Sequence, residues 1–156
     1  MTMAAQLNVL FEQLVDIESE VERLYRIYAE RFTATKELWT SLAGEEAHHA
    51  SWLRELQLEI IEDAIPVDIE RFSSEDIDDT RTKVQNALAE STVVTERQAL
   101  ETAQGLEDNI IEQKFYSVVP ETIPPMVRVY HVLDEATRRH RERIEEAMLV
   151  VLQPVE

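Results

Sequence analysis

The chain contains no cysteine, and its 156 residues include only two glycines and five prolines. Without cysteine, disulfides, thiolate metal sites, iron–sulfur clusters and a thiol nucleophile are excluded. The few glycines and prolines leave few turn signals, and the abundant Glu, Leu, Ala, Arg and Ile favour helices. We therefore predict an all-α fold that forms a single domain over residues 1–156.

Long apolar runs and an excess of basic charge are also missing. No stretch approaches the ~20 apolar residues of a membrane span, and the first residues lack the basic segment of a secretory signal. The formal charge of −17 opposes binding to nucleic acid or anionic lipid, because both depend on basic patches. We expect a cytoplasmic protein with no nucleic-acid or membrane partner, and most of the acidic charge is interpreted as a solubilising surface.

Apolar residues recur at helical spacing in four long segments. These segments cover residues 5–33, 35–64, 95–119 and 125–152. Pro66 ends the second one, and a more polar helix with an acidic first turn is predicted over residues 74–91. The short break at 33–35 predicts an antiparallel hairpin, whereas the connection from 65 to 95 is too long for one. The pattern predicts four core helices with a long crossover between the second and the third.

Ionisable residues interrupt the apolar faces of these helices. Glu46 and His49 lie on the face that Leu42 and Leu53 define, where a core would place apolar side chains. Burying either without a partner costs roughly 2 kcal/mol or more, so other helices must supply partners. A histidine satisfied by a neighbouring acid is one reading, and a metal site is the other. The remaining core helices offer three further inward candidates: Glu18, Glu107 and His140.

Three stretches resemble rubrerythrin-type members of the ferritin-like family, and the resemblance covers nearly the whole chain. IESEVERLYRIYAERF resembles the family's first helix, where a metal-binding Glu precedes a Tyr by two turns, here Glu18 and Tyr25. LAGEEAHHASWL resembles the second helix, with Glu46 and His49 as its Glu-x-x-His. ALETAQGLEDNIIEQKFY is similar to the third helix, with Glu107 as its ligand.

The resemblance implies a ferritin-like antiparallel four-helix bundle that holds two metal ions. The implied metal is iron, with manganese or zinc as alternatives. Carried over onto this chain, the implied ligands are Glu18, Glu46, His49, Glu107 and His140. The implied activity is the reduction of peroxide or oxygen in oxidative-stress defence. Rubrerythrins proper carry a cysteine-ligated rubredoxin module, which this chain lacks, so an enzyme of this kind would need an external electron donor.

The fourth helix departs from the family pattern. Thr137 stands three residues before His140, where the family has glutamate, and Glu135 points about 140° away around the helix. A hydroxyl is a poor replacement for a bridging carboxylate, which neutralises two cations and holds them ~3.5–4 Å apart. Three outcomes stay open: a dinuclear site with water or Glu112 in the gap, a single-metal site, or a site that has lost its metal. The weaker ligand candidates are Glu22, Glu112 and Glu135.

Two other functions stay open on the sequence alone. In iron binding or storage, the same site would oxidise ferrous iron as a substrate, and storage would need a cage of many subunits. In a non-enzymatic bundle, the acids and histidines would be protonated or bonded to one another, and the protein would serve structure or interaction. Thr137 favours the second of these.

We interpret the remaining polar and aromatic residues as structural rather than as parts of a metal site. Glu45 and His48 lie one position off the apolar face and are interpreted as helix-edge residues. The arginines of the fourth helix are interpreted as a charged outer face that pairs with the acidic surface; they are Arg138, Arg139, Arg141 and Arg143. We expect a homodimer, because such bundles have broad helix faces and this chain offers Trp39 and Trp52 for burial.

Overall fold

The computed structural model describes residues 2–64, 74–108 and 124–153. Within these ranges the chain forms α-helices, one short 3-10 turn over Thr33–Thr35, and no β-strand. The α-helices are α1 (Met3–Arg31), α2 (Lys36–Glu62), α3 (Ser74–Glu90), α4 (Glu96–Asp108) and α5 (Pro124–Val151). The all-α prediction is confirmed, and both ends of α1 and of α2 lie within two residues of their predicted positions. The predicted continuation of the third core helix over 109–119 lies outside the described residues.

Local hydrogen bonds fix the starts of α1 and α4. The Thr2 hydroxyl accepts the backbone N–H of Ala5 at 3.2 Å. At α4, the Thr95 hydroxyl accepts the N–H of Gln98 at 3.2 Å, and the Gln98 side chain accepts the N–H of Thr95 at 2.9 Å. This reciprocal pair is a capping box, which satisfies N–H groups that have no partner within the helix. Thr95 is therefore the N-cap of α4.

Helices α1 and α2 form an antiparallel hairpin. The short turn between them reverses the chain, and Gln57 near the end of α2 donates to Asn8 near the start of α1 at 2.7 Å. Their facing sides carry apolar residues at helical spacing, so the two helices bury one continuous seam. No helix in the described ranges combines the length and the apolar character that crossing a bilayer requires.

Helix α4 begins at the same end of the molecule as α2. The Thr35 hydroxyl, just before α2, donates to Glu96 Oε1 at 2.6 Å, and Arg31 at the end of α1 donates to the carbonyl of Ser91. The 27 residues of α2 span about 40 Å at ~1.5 Å per residue, so Glu62 and Glu96 lie near opposite ends of that helix. The described part of the connection between these two residues, α3, packs against α1.

Aromatic side chains fill the centre of the core between α1 and α2. Trp39 is fully buried, and its ring centroid lies 4.9 Å from that of Tyr28 and 5.5 Å from that of Tyr25. Its indole N–H donates to the Thr35 hydroxyl at 2.9 Å, which satisfies the one polar group of the side chain. Contrary to the expectation from the sequence, Trp39 therefore has no surface to offer a second copy of the chain.

Truncation of Trp39 is expected to be severe. Trp39→Ala should lower the free energy of unfolding by about 3–5 kcal/mol, because it removes a large buried side chain and leaves a cavity among rigid neighbours. Equilibrium unfolding in urea measures the difference. Leu58→Ala on the same helix is the control, since Leu58 is 60% exposed and a surface change of this kind stays within about 0.5 kcal/mol. A loss below about 1 kcal/mol for Trp39→Ala would contradict the packing described.

Candidate metal centre

Four helices each place ionisable side chains in one part of the bundle interior. Glu18 comes from α1, Glu46 and His49 from α2, Glu107 from α4 and His140 from α5. All five are buried, with exposed fractions of 6% or less. The structure thus brings together the five ligands that the family resemblance implied.

Helical geometry explains why each of these residues points inward. Glu46 and His49 are three residues apart and so share one face of α2. Glu18 lies one turn after Leu14 and about two turns before Tyr25, both of them buried core residues. Each ionisable group thus occupies a position that would otherwise belong to the apolar seam.

The ligand atoms form two groups that share one carboxylate. Glu18, Glu46 and His49 make the first group, and Glu46, Glu107 and His140 make the second; in each, the candidate ligand atoms lie within 4.8 Å of one another. Glu46 Oε2 is 3.1 Å from His49 Nδ1, and Glu46 Oε1 is 3.3 Å from His140 Nδ1. Glu46 therefore turns one oxygen toward the histidine of each group.

Both histidines direct the Nδ1 atom toward carboxylates. His140 Nδ1 is 3.4 Å from Glu107 Oε1, and His49 Nδ1 is 3.9 Å from Glu18 Oε2. The two rings lie nearly parallel, with centroids 5.5 Å apart and planes inclined by 22°. The two rings are therefore stacked. Besides the shared Glu46, His49 lies near Glu18 and His140 lies near Glu107.

Three buried atoms of the cluster make no well-aligned hydrogen bond among the described residues, although Glu46 Oε1 and His140 Nδ1 form an ion-pair contact at 3.3 Å. The three atoms are Glu46 Oε1, Glu107 Oε2 and His140 Nδ1. An unpaired buried polar group costs about 1–3 kcal/mol, and more when it is charged. A cation held among these atoms would satisfy them together, and carboxylate oxygen with imidazole nitrogen suits iron, manganese and zinc. The buried Glu and His groups can therefore hold a metal ion.

Tyr25 forms a hydrogen bond with Glu107 that orients its carboxylate. Its hydroxyl donates to Glu107 Oε1 at 3.0 Å. Burial and the neighbouring negative charge of Glu107 raise the pKa of Tyr25 well above its ordinary value, so the phenol keeps its proton at neutral pH. Tyr25 is thus a fixed donor that directs the carboxylate, as outer partners of metal ligands commonly do.

Glu45 contacts the outer side of His140. Its Oε2 is 2.6 Å from His140 Nε2, and its Oε1 accepts from Arg143 at 2.9 Å. The side chain of Glu45 is 31% exposed, which agrees with its interpretation as a helix-edge residue. The contact with His140 was missed by sequence reasoning, because it joins α2 to α5 across 95 positions of the chain and depends on how these helices pack.

Protonation of Glu46 and His140 stabilises the buried cluster when no metal is bound. Burial and the charge of Glu107 raise the pKa of Glu46 to about 7, although His140 and Glu18 act in the opposite direction. Burial alone would lower the pKa of His140, but its contacts with Glu107 and Glu46 raise that pKa to about 11. At neutral pH, His140 is therefore an imidazolium, and metal binding must displace protons from the cluster.

The weaker ligand candidates lie elsewhere. Glu22 accepts from Arg26 on the same helix at 2.7 Å, and Glu135 is exposed. Glu112 lies outside the described residues. Thr137 is buried and lies one turn before His140 on α5, where the family pattern has its missing glutamate.

Two of the arginines on α5 pair with acids. Arg141 contacts Asp108 of α4 at 2.8 Å, and Arg143 contacts Glu45 of α2. Arg138 and Arg139 are exposed. The interpretation of this run as an outer face that pairs with acidic residues fits these contacts, and Arg143 additionally reaches a residue that touches the buried cluster.

No family model, curated protein or solved structure matches this chain. The fold and the site define its class: an all-helical protein with a buried cluster of glutamates and histidines that can hold a metal ion.

Proposed function

We propose that this chain is a ferritin-like metalloprotein of the rubrerythrin type, which binds two iron ions and uses them to reduce peroxide or oxygen. The observation that carries the proposal is the carboxylate of Glu46. It is buried, directs one oxygen to each of two Glu/His groups, and its Oε1 has only a 3.3 Å ion-pair contact with His140 Nδ1 among the described residues. Two ions on either side of Glu46 would account for each of these properties.

The arrangement of the helices supports the ferritin-like assignment. The candidate ligands come from α1, α2, α4 and α5, and α3 belongs to the connection between α2 and α4. Because α2 and α4 begin at the same end, that connection has to return along the bundle, as a long crossover does in ferritin-like folds.

The charge of the cluster is balanced by two divalent ions when one hydroxide from solvent is added. A single divalent ion would leave one of the three buried carboxylates uncompensated, whereas two exceed the three carboxylates by one positive charge. Burial of an uncompensated charge is expensive. Thr137 stands where a further carboxylate would remove this excess, so a water molecule or hydroxide from solvent completes the proposed site.

The protein supplies geometry and a dry interior, and the metal supplies electrons. Two ferrous ions would give one electron each, so that one hydrogen peroxide and two protons yield two water molecules and two ferric ions. The carboxylates and imidazoles hold the ions in both oxidation states. Since the chain has no cysteine to ligate an electron-transfer centre, an external donor returns the iron to the ferrous state.

Anaerobic titration with ferrous iron, followed by peroxide, tests the proposal. The parent protein should bind two ions per chain and consume one peroxide for every two ions oxidised. Glu46→Ala removes the shared ligand and should abolish both results. Glu55→Gln is the control, because Glu55 is an exposed residue of the same helix and its change should leave both results intact. A parent protein that binds no iron, manganese or zinc would end the proposal.

A non-enzymatic bundle is the second candidate function. Two observations favour it: Thr137 replaces a ligand, and the raised pKa values of Glu46 and His140 let protons stabilise the cluster without metal. The same titration distinguishes the two functions. Iron storage is tested by mass in solution, since a homodimer would have twice the 18.1 kDa of one chain, whereas storage needs a cage of many subunits.

A further inference from the structure

Two consecutive acids of α2 contact the same histidine from opposite sides. Glu46 Oε1 lies 3.3 Å from His140 Nδ1, inside the cluster, and Glu45 Oε2 lies 2.6 Å from His140 Nε2, outside it. Successive side chains of a helix point about 100° apart. Glu46 therefore points into the cluster, and the preceding residue, Glu45, contacts the opposite side of the His140 ring.

We infer that Glu45, anchored by Arg143, is a positioning residue that fixes the ring of His140 with Nδ1 directed into the cluster. The effect on metal binding rests on the proposed function, whereas the effect on the ring itself does not. Glu45 is not a metal ligand in this assignment, since the ring of His140 separates its carboxylate from Glu107 and Glu46.

The chemistry of the contact determines which ring nitrogen keeps its proton when the imidazolium of His140 loses the other one. A carboxylate only accepts hydrogen bonds, so Nε2 of His140 has to donate to Glu45. A neutral histidine then has Nδ1 as its free lone pair, and Nδ1 is the atom that lies 3.4 Å from Glu107. A hydrogen bond at one ring nitrogen in this way selects the other nitrogen as the ligand atom.

Arg143 keeps Glu45 in place. It lies three residues after His140 on α5, and its Nη1 donates to Glu45 Oε1 at 2.9 Å, while Oε2 accepts from His140. Both oxygens of Glu45 are thus bound to the same helix. Arg143 also lines an open surface groove of about 530 Å³.

The first test uses metal-free protein and follows the Nε2 proton of His140 by NMR of the histidine-labelled chain. In the parent, this proton should exchange slowly with water because it is bonded to Glu45. Glu45→Ala should make the exchange at least tenfold faster. Glu45→Gln keeps the shape and an acceptor oxygen, so it should show a smaller change and serves as the variant that preserves folding. Glu55→Gln should behave as the parent.

The second test measures the dissociation constant of zinc, which is diamagnetic and needs no reductant. Glu45→Ala should weaken binding by roughly 10–100-fold, as loss of an outer partner of a ligand histidine does, and Arg143→Met should weaken it by less. In zinc-loaded parent, the ¹⁵N shifts should show Nδ1 bound and Nε2 protonated. Binding within twofold of the parent in Glu45→Ala, together with unchanged exchange of the Nε2 proton, would overturn the inference.

The two proposals fail in different ways. A parent protein that binds no metal but shows exchange of the Nε2 proton that depends on Glu45 would overturn the proposed function and sustain the positioning role. A parent that binds two ions with the same affinity as Glu45→Ala, and whose Nε2 proton exchanges at the same rate as in that variant, would sustain the metal site and overturn the positioning role.

Discussion

Saturation with manganese or ferrous iron is expected to raise the midpoint of thermal unfolding by about 10–20 °C. A ligand at a hundredfold excess over its dissociation constant stabilises the native state by about 2.7 kcal/mol, so two sites give roughly 5 kcal/mol. For a domain of this size, 1 kcal/mol corresponds to about 2–4 °C. Calorimetric scans with manganese, and with a chelator in its place, measure the shift.

The acidic surface makes a control necessary, because a chain with a formal charge of −17 also attracts cations without a specific site. Glu46→Ala should lose nearly the whole shift, since Glu46 belongs to both ligand groups. Glu55→Gln should keep it. An equal shift in Glu46→Ala would show that the ions bind outside the cluster.

The metal-free protein is expected to become less stable as the pH rises from about 5 to about 9. Folding raises the pKa of Glu46 from 4.5 to about 7 and that of His140 from 6.5 to about 11. Between these values the folded chain binds protons that the unfolded chain has released, so the free energy of unfolding falls with pH. The contribution of each group is fully present below its unfolded pKa and is lost as the pH passes its folded pKa.

The part that belongs to Glu46 should be on the order of 3–4 kcal/mol, since its pKa rises from 4.5 to about 7 and one pKa unit corresponds to about 1.4 kcal/mol. Urea unfolding of chelator-treated protein at several pH values measures it. Glu46→Gln should remove the decrease between about pH 4.5 and 7 and retain the decrease at higher pH that comes from His140. Identical pH profiles for parent and variant would contradict the titration of Glu46. Burial alone would raise the pKa of Glu45, but its contacts with His140 and Arg143 lower it below 4.5. Glu45 therefore changes the free energy of unfolding only at a pH below this range.

The interior of the bundle could be predicted because helical periodicity places each residue on one face of its own helix. Glu18, Glu107 and His140 interrupt apolar stripes, and a residue within such a stripe is buried whichever helix covers it. Helix ends followed from local signals such as the capping box at Thr95. These features depend on short stretches of chain, so the sequence contains them directly.

The contacts between helices could not be predicted in the same way. Glu45 and Glu22 lie beside an apolar stripe, where a change of a few degrees in helix rotation decides whether a side chain meets a neighbouring helix or solvent. Glu45 reaches His140, whereas Glu22 pairs with Arg26 on its own helix. Trp39 likewise packs in the core between α1 and α2 and has no exposed surface. Such outcomes depend on the crossing of two helices, which a single helix does not specify.

The two ligand groups differ in how much of the chain each requires. The group of Glu18, Glu46 and His49 lies entirely within the α1–α2 hairpin, whereas the other group also needs Glu107 and His140. The first group of candidate ligands therefore requires only the folded hairpin, whereas the second requires that α4 and α5 have packed against it.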